Sequence, residues 1–372
     1  MMKINYLTGI ALSLLLVLSS CNAEEDAPDT PQGIIPVGFS GDVSETRAAT
    51  EYGSADDLTA IGVFAYFTNG AFNAGSSTSN FMYNQKVERT NNTSPWTYSP
   101  VKYWPNNDAD KLSFFAYAPY VDETVPDGSN PTFKGRTEIG FPTLAYTVSA
   151  AENNQADLLV STPLMNQGYA DNSGMVKFTM NHALTKASIY IKSKDVEDDK
   201  KVTAFSLTSA KSGTLTFHTP AKADDTGFGW SGITGTQTYT PANASVNIPN
   251  NMTDRVLLGT FYLLPQGMGS TFTVTYTYSG TASSGDAPTH TVTLTDQPLP
   301  SLDKWVAGAS VSYDFSIGKS AITVTATTHP TWNDSGEGTV SGSVTITYAV
   351  NPSDPEWTPG SSQEVEGTDE TP

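Results

Sequence analysis

The stretch TFTVTYTYSG (271–280) decides the fold class. Phe272, Val274, Tyr276 and Tyr278 fall on one face and threonines on the other, the period of two that a half-buried strand requires. Outward from it the same signal recurs. AIGVFAYF (60–67) and LSFFAYAPY (112–120) are short strands bounded by turn residues. Ile189 and Ile191 alternate with Ser188, Tyr190 and Lys192, and Val311, Tyr313, Phe315 and Ile317 repeat the pattern. Helical periodicity is hard to find after the first twenty residues. Many short strands with frequent Gly, Pro and Asn breaks predict an all-β chain built of antiparallel sandwiches.

Composition agrees. Only 15% of the 372 residues are charged, below the usual quarter, and Thr, Ser, Gly, Tyr and Val dominate. Such residues favour strands and turns over helices. Acidic residues number 38 against 19 basic, so the surface repels phosphate backbones and nucleic acid is excluded as a partner.

Residues 1–20 have their own logic. Lys3 precedes a twelve-residue apolar run (7–18), too short for a comfortable membrane span and suited to a signal peptide. Leu18-Ser19-Ser20-Cys21 then resembles the lipobox of bacterial lipoproteins, in which the cysteine is lipidated and becomes the new N-terminus. Cys21 is the single cysteine, so no disulfide forms within the monomer, and no histidine lies near enough for a metal site. Removal of residues 1–20 leaves 18 basic and 38 acidic residues, a net charge of −20. Residues 21–33 read as an acidic tether, and Asn22-Ala-Glu-Glu-Asp26 resembles the export signal of surface lipoproteins in the Bacteroidetes.

Beyond the tether, the expected divisions are a first β-sandwich at 34–166, a second at 167–350 and a flexible polar tail at 351–372. The boundary rests on TPLMNQGYADNSG (162–174), a turn-rich link. Catalytic signals are lacking. His182, His218, His290 and His329 are scattered without metal-ligand spacing, and no phosphate loop, nucleophile elbow or HExxH occurs. Asp108, Asp110, Asp224 and Asp225 read as turn residues before they read as calcium ligands. The expectation is a non-enzyme with no cofactor and no metal. Trp96 and Trp104 are the candidate platforms for stacking on a sugar, although a Trp/Tyr cluster beside strands is more often core or domain-edge packing; the alternative functional reading is a surface glycan-binding lipoprotein. A hydrolase with an unrecognised acid pair is a distant third reading.

WTYSPVKYWPNNDADKLSFFAYAPY (96–120) resembles the N-terminal domain of the fimbrillin family of Bacteroidetes pilins, the Mfa-like and FimA-like subunits of type V pili. IGVFAYF (61–67), ADLLVS (156–161), VKFTMNHALTKASIYIK (176–192), FYLLPQ (261–266), KWVAGASVSYDFSI (304–317) and ITVTATTHPTW (322–332) extend the likeness, in order, over roughly 34–332. The resemblance implies two transthyretin-like β-sandwich domains, a lipoprotein precursor anchored in the outer membrane, and polymerisation at the cell surface into a fimbrium. It implies other fimbrial subunits as partners, in homo- or hetero-polymers, and an adhesive ligand on a host or bacterial surface.

Two further expectations follow. In the family an arginine-specific protease cuts after an arginine like Arg47 of SETRAAT (44–50), and cutting Arg47–Ala48 would release the lipid together with a first strand. IIPVGF (34–39) can form that strand, with Pro36 favouring an edge. The chain also runs 40 residues past Trp332, where many related sequences stop. There Val344, Ile346, Tyr348 and Val350 alternate with polar residues. They form either the last strand of the second domain or a donor strand for a neighbour.

Overall fold

A computed structural model describes residues 35–43, 58–124, 131–196, 198–266, 269–280, 289–300, 305–329, 332, 340 and 342–350. The first half of the chain forms β1 (Gly38–Val43), β2 (Ala60–Asn69), β3 (Met82–Glu88), β4 (Asp110–Ala118), β5 (Thr132–Phe133), β6 (Thr143–Thr147), β7 (Leu159–Ser161), β8 (Leu164–Gln167) and β9 (Met175–His182). The second forms β10 (Thr185–Ser193), β11 (Asp198–Phe217), β12 (Phe228–Tyr239), β13 (Val246–Ile248), β14 (Val256–Leu263), β15 (Thr271–Gly280), β16 (Thr289–Pro298), β17 (Ser310–Ile317), β18 (Ala321–His329) and β19 (Gly342–Ala349). Helix among the described residues is confined to one turn at Tyr169–Asn172 and a 3-10 turn at Glu152–Asn154.

The strands lie in three sheets. The first runs β1-β9-β7-β4-β2-β3, with β8 also on β4; the second runs β14-β10-β17-β18-β19. The third runs β16-β15-β11-β6-β5, with β12 and β13 on the other side of β11. Most pairs are antiparallel, as alternation predicts, but β1 with β9 and β10 with β17 are parallel. A parallel neighbour must be reached by a long crossover, and in both cases several strands intervene in the chain.

The second and third sheets face each other over the larger core. Phe315 meets Phe205 and Phe272 edge-on, at 5.5 and 4.9 Å between ring centres. The same core continues to one face of the first sheet, where Phe115 meets Phe217 at 5.3 Å. The opposite face of the first sheet has its own core. Strand β4 therefore lies between two cores, sending Leu112, Phe114 and Ala116 one way and Phe115 and Tyr117 the other. This explains why it is buried without interruption from Leu112 to Ala118, and apolar throughout from Phe114. Gly62 of β2 is what lets the Tyr117 ring lie across that strand, since a Cβ there would sit 2.0 Å from the ring.

The sheets do not divide at 166/167. β9, in the second half by the sequence reading, pairs with β7 and β1 of the first sheet. β6, in the first half, pairs with residues 212–216 of β11 in the third. Part of the supposed link is itself a strand, β8, bonded to β4.

Candidate functional site

The best-defined site is the groove at the β1 edge of the first sheet. Residues 35–43 enter it extended, as the apolar run at 34–39 predicts. Pro36 sits at the exposed rim in an isolated bridge with Tyr103. Its missing amide costs no ladder bond there. The Trp104 amide donates to Ile35 O (2.9 Å), and the Val37 amide to Lys102 O (2.9 Å). From Gly38 the chain turns to β9, its amide donating to Gly174 O (2.8 Å), and six residues then run parallel from Gly38↔Met175 to Val43↔Met180.

Side chains fill the groove at every second position. Val37 is buried at 1% exposure and Phe39 at 3%. Phe39 is held by three rings: stacked on Phe178 at 6.0 Å, and edge-on to Tyr98 at 5.2 Å and Phe114 at 6.2 Å. Burying a side chain of this kind contributes about 1.5–3 kcal/mol, so two of them carry most of the grip. The Tyr98 hydroxyl closes the site over the backbone. It donates to Val37 O (2.8 Å), with Lys102 O also in reach (3.1 Å), and accepts the Lys102 amide (3.2 Å). Burial pushes its pKa upward, so it stays a protonated donor.

Trp104 is a wall of this groove. It is 4% exposed, its indole N–H donates to Gly174 O (3.2 Å), and its ring meets Phe114 at 5.8 Å. This corrects its reading as a sugar platform, since a ring inside a core offers no face to a ligand. Trp96 is half-buried against the same core, with the Arg89 guanidinium 4.7 Å over its ring. Of the aromatic cluster at 96–104, Tyr98 and Trp104 are thus packing around the first strand, while the Tyr103 side chain is exposed.

Val344, Ile346, Tyr348 and Val350 lie in or just after β19, bonded in cis to β18 from Ala321↔Ala349 to Thr328↔Gly342. Tyr348 is buried against Phe272 (5.3 Å) and its hydroxyl donates to Pro298 O. Ile346 packs partly into the larger core, and the Val350 amide donates to Ser320 O (2.7 Å). Cys21, Arg47 and Ala48 lie outside the described residues.

The histidines have structural partners or buried settings. His182 Nδ1 lies 3.0 Å from the Asp157 carboxylate with its ring stacked on Trp332 at 3.8 Å. His290 stacks on Tyr278, and His329 is buried. His218 lies 2.9 Å from Asp225. Asp225 accepts the amides of Ala221 and Gly227, which with His218 hold its carboxyl down at about 2. Asp224 pairs with Lys222, and Asp110 accepts from the Asn69 amide side chain (2.9 Å). These carboxylates serve turns and strand ends. No group of three or more His, Cys, Asp and Glu able to hold a metal occurs among the described residues.

The comparisons with known proteins agree with this architecture. The fimbrium subunit Fim1C of Phocaeicola vulgatus is 30% identical over 188 residues, which is 48% of this chain and 49% of that protein. The chain thus aligns with about half the length of that curated relative. A crystal structure of a fimbrial protein from Bacteroides vulgatus superposes with a TM-score of 0.63 at 22% identity, covering 79% of this chain and 98% of that one. The Fimbrillin-like family matches residues 46–332, most of the length over which strands, groove and cores have been described, and the chain belongs to that family.

Proposed function

We propose that the chain is a surface fimbrial subunit, without catalytic activity, that joins other subunits by strand exchange at the β1 groove after lipid anchoring at Cys21 and cleavage of Arg47–Ala48. The observation that carries this is the attachment of β1. Among the described residues it is an edge strand, held by two buried side chains and a tyrosine clasp in a groove whose walls belong to other segments. Cleavage after Arg47 would take β1 away with the lipid. The pairing edge of β9 and the apolar faces of Phe178, Phe114 and Trp104 would be left open. Unpaired backbone beside an apolar groove is a strand-addition site.

The chain also carries a matching insert. Val344, Ile346, Tyr348 and Val350 repeat the spacing of Ile35, Val37, Phe39 and Gly41, with the aromatic third in each set. In the described state β19 is bonded to β18 of its own chain, so a donor role requires it to leave that strand for the groove of a neighbour. The native first strand keeps the groove filled until cleavage, which delays polymerisation.

Digestion of the lipidated protein with an arginine-specific protease tests the reading. A form beginning at Ala48 should appear and assemble into SDS-resistant oligomers, and Arg47→Ala should abolish both. Oligomers that retain residues 21–47 would exclude strand release as the switch. Cys21→Ala should abolish palmitate labelling; persistent labelling in that variant would remove the anchor from the scheme. Replacing Glu24, Glu25 and Asp26 with alanine should protect the protein from external protease on intact cells. Equal resistance of both forms would place it facing the periplasm.

A further inference from the structure

The two ends of the second sheet are treated differently. At one end is β19, and no described strand pairs with its far side. At the other is β14, two of whose outward amides are taken by side chains instead of by a strand. The Thr260 amide donates to Glu152 Oε1 (2.6 Å), and the Tyr262 amide, two residues on, donates to Gln155 Oε1 (2.8 Å). The second Glu152 oxygen accepts the Ala242 amide (2.7 Å), just past the end of β12. One carboxylate therefore bridges the borders of two sheets.

The turn bearing these groups is itself fastened. Ala151 bridges Thr240 in parallel, the Thr240 amide donates to Ala150 O (3.2 Å) and the Glu152 amide to Thr240 O (3.3 Å). The Gln155 side chain donates back to Ser149 O (2.8 Å). Upstream, Leu144, Tyr146 and Val148 alternate into the larger core and anchor the segment. The fit at β14 is close: a Cβ on Gly259 would lie 2.9 Å from Pro241 and 3.2 Å from Glu152 Oε2.

Free amides spaced two residues apart on an end strand are what an arriving strand recognises through its carbonyls. Glu152 and Gln155 present acceptors at that same spacing. We propose that the Glu152–Gln155 turn is a guard on the β14 edge, blocking strand addition there by a second copy of this chain. The occupant is a second copy because this chain itself contains exposed-edge strands of suitable length: β19, eight residues long like β14, has an unpaired side among the described residues. The guard stands whether or not subunits exchange strands at the β1 groove.

The test uses the full chain carrying Arg47→Ala, which keeps the β1 groove filled. Glu152→Ala with Gln155→Ala should retain the β-sheet circular dichroism of the parent and speed hydrogen exchange at the Thr260 and Tyr262 amides. It should tighten self-association at least about tenfold, the scale of one or two backbone hydrogen bonds gained between copies. Those two amides should regain protection as concentration rises. Glu152→Gln, which keeps an acceptor at the Thr260 position, should associate less than the double variant. A folded double variant with freed amides that stays as monomeric as its parent overturns the proposal. If the double variant does not fold, Gln155→Ala alone decides: a fast-exchanging Tyr262 amide without added association overturns it equally.

Discussion

The edge strands β1 and β19 have similar patterns and opposite attachments. β1 makes a parallel ladder of six residue pairs and is held mainly by what its side chains fill, Phe39 above all, with three aromatic neighbours. β19 makes a longer, antiparallel ladder of eight pairs, with threonine pairs Thr325–Thr345 (2.9 Å) and Thr323–Thr347 (3.1 Å) along it, and a single buried ring, Tyr348, meeting a single aromatic neighbour, Phe272. Parallel pairing is slightly weaker per residue. A strand attached by side chains leaves shaped pockets behind when it departs, whereas one attached by its ladder leaves chiefly an unpaired backbone. Under the proposed strand exchange, the first is the one to be replaced by another strand of like spacing.

Substitutions can break that contrast. Phe39→Ala should cost about 3–5 kcal/mol in chemical denaturation of the uncleaved chain, whereas Ile346→Ala, only partly buried, should cost about 2 or less. Equal losses would make the two edges alike. Tyr98→Phe, which removes the clasp on Val37 O, should cost about 1–3 kcal/mol, and should raise hydrogen exchange at residues 37–43 without changing residues 342–349. At the other edge, Tyr348→Phe should cost about 1 kcal/mol by leaving Pro298 O without its donor. Thr325→Val with Thr345→Val should move stability by no more than about 1 kcal/mol, as a single part-buried cross-strand pair is worth little.

A pH titration supplies the control away from both edges. The Asp225 carboxyl is held down at about 2 by the Ala221 and Gly227 amides and by His218, below the unfolded value of about 3.9. Because the folded value is the lower one, its contribution is present above about pH 4 and is lost as pH falls toward 2. Asp225→Asn should remove that part of the acid response, seen as a flatter urea midpoint over that window, while exchange at β1 and β19 stays as in the parent.

Much of this was legible in the residues. The alternation at 272–278, 311–317 and 344–350 reported β15, β17 and β19, and Pro36 marked an edge, because one-sided burial leaves a local imprint. What lacked an imprint was partnership. Nothing in VKFTMNH says that it joins the first sheet, and nothing in TLAYT says that it leaves it, since register is set by distant strands. Trp104 stood between packing and sugar stacking for a related reason: an aromatic pair beside a strand looks the same whether it faces a ligand or lines a groove. Glu152 and Gln155 gave no signal, because an acidic turn residue is ordinary until the amides it meets are known.

Strand β11 runs from Asp198 to Phe217, twenty residues or up to about 65 Å of extended chain, with register shifts at Val202/Ala204 against β15 and at Ser212/Thr214 against β12. It takes β15 and β13 toward one end and β6 and β12 toward the other. In mechanical terms it is a spar. A hinge between the two halves of the molecule would have to bend this strand and shear its ladders with β6 and β12 together, so a load applied along the subunit is shared across several rows of hydrogen bonds at once. Stiffness in a filament of such subunits would then be decided at the joints between copies.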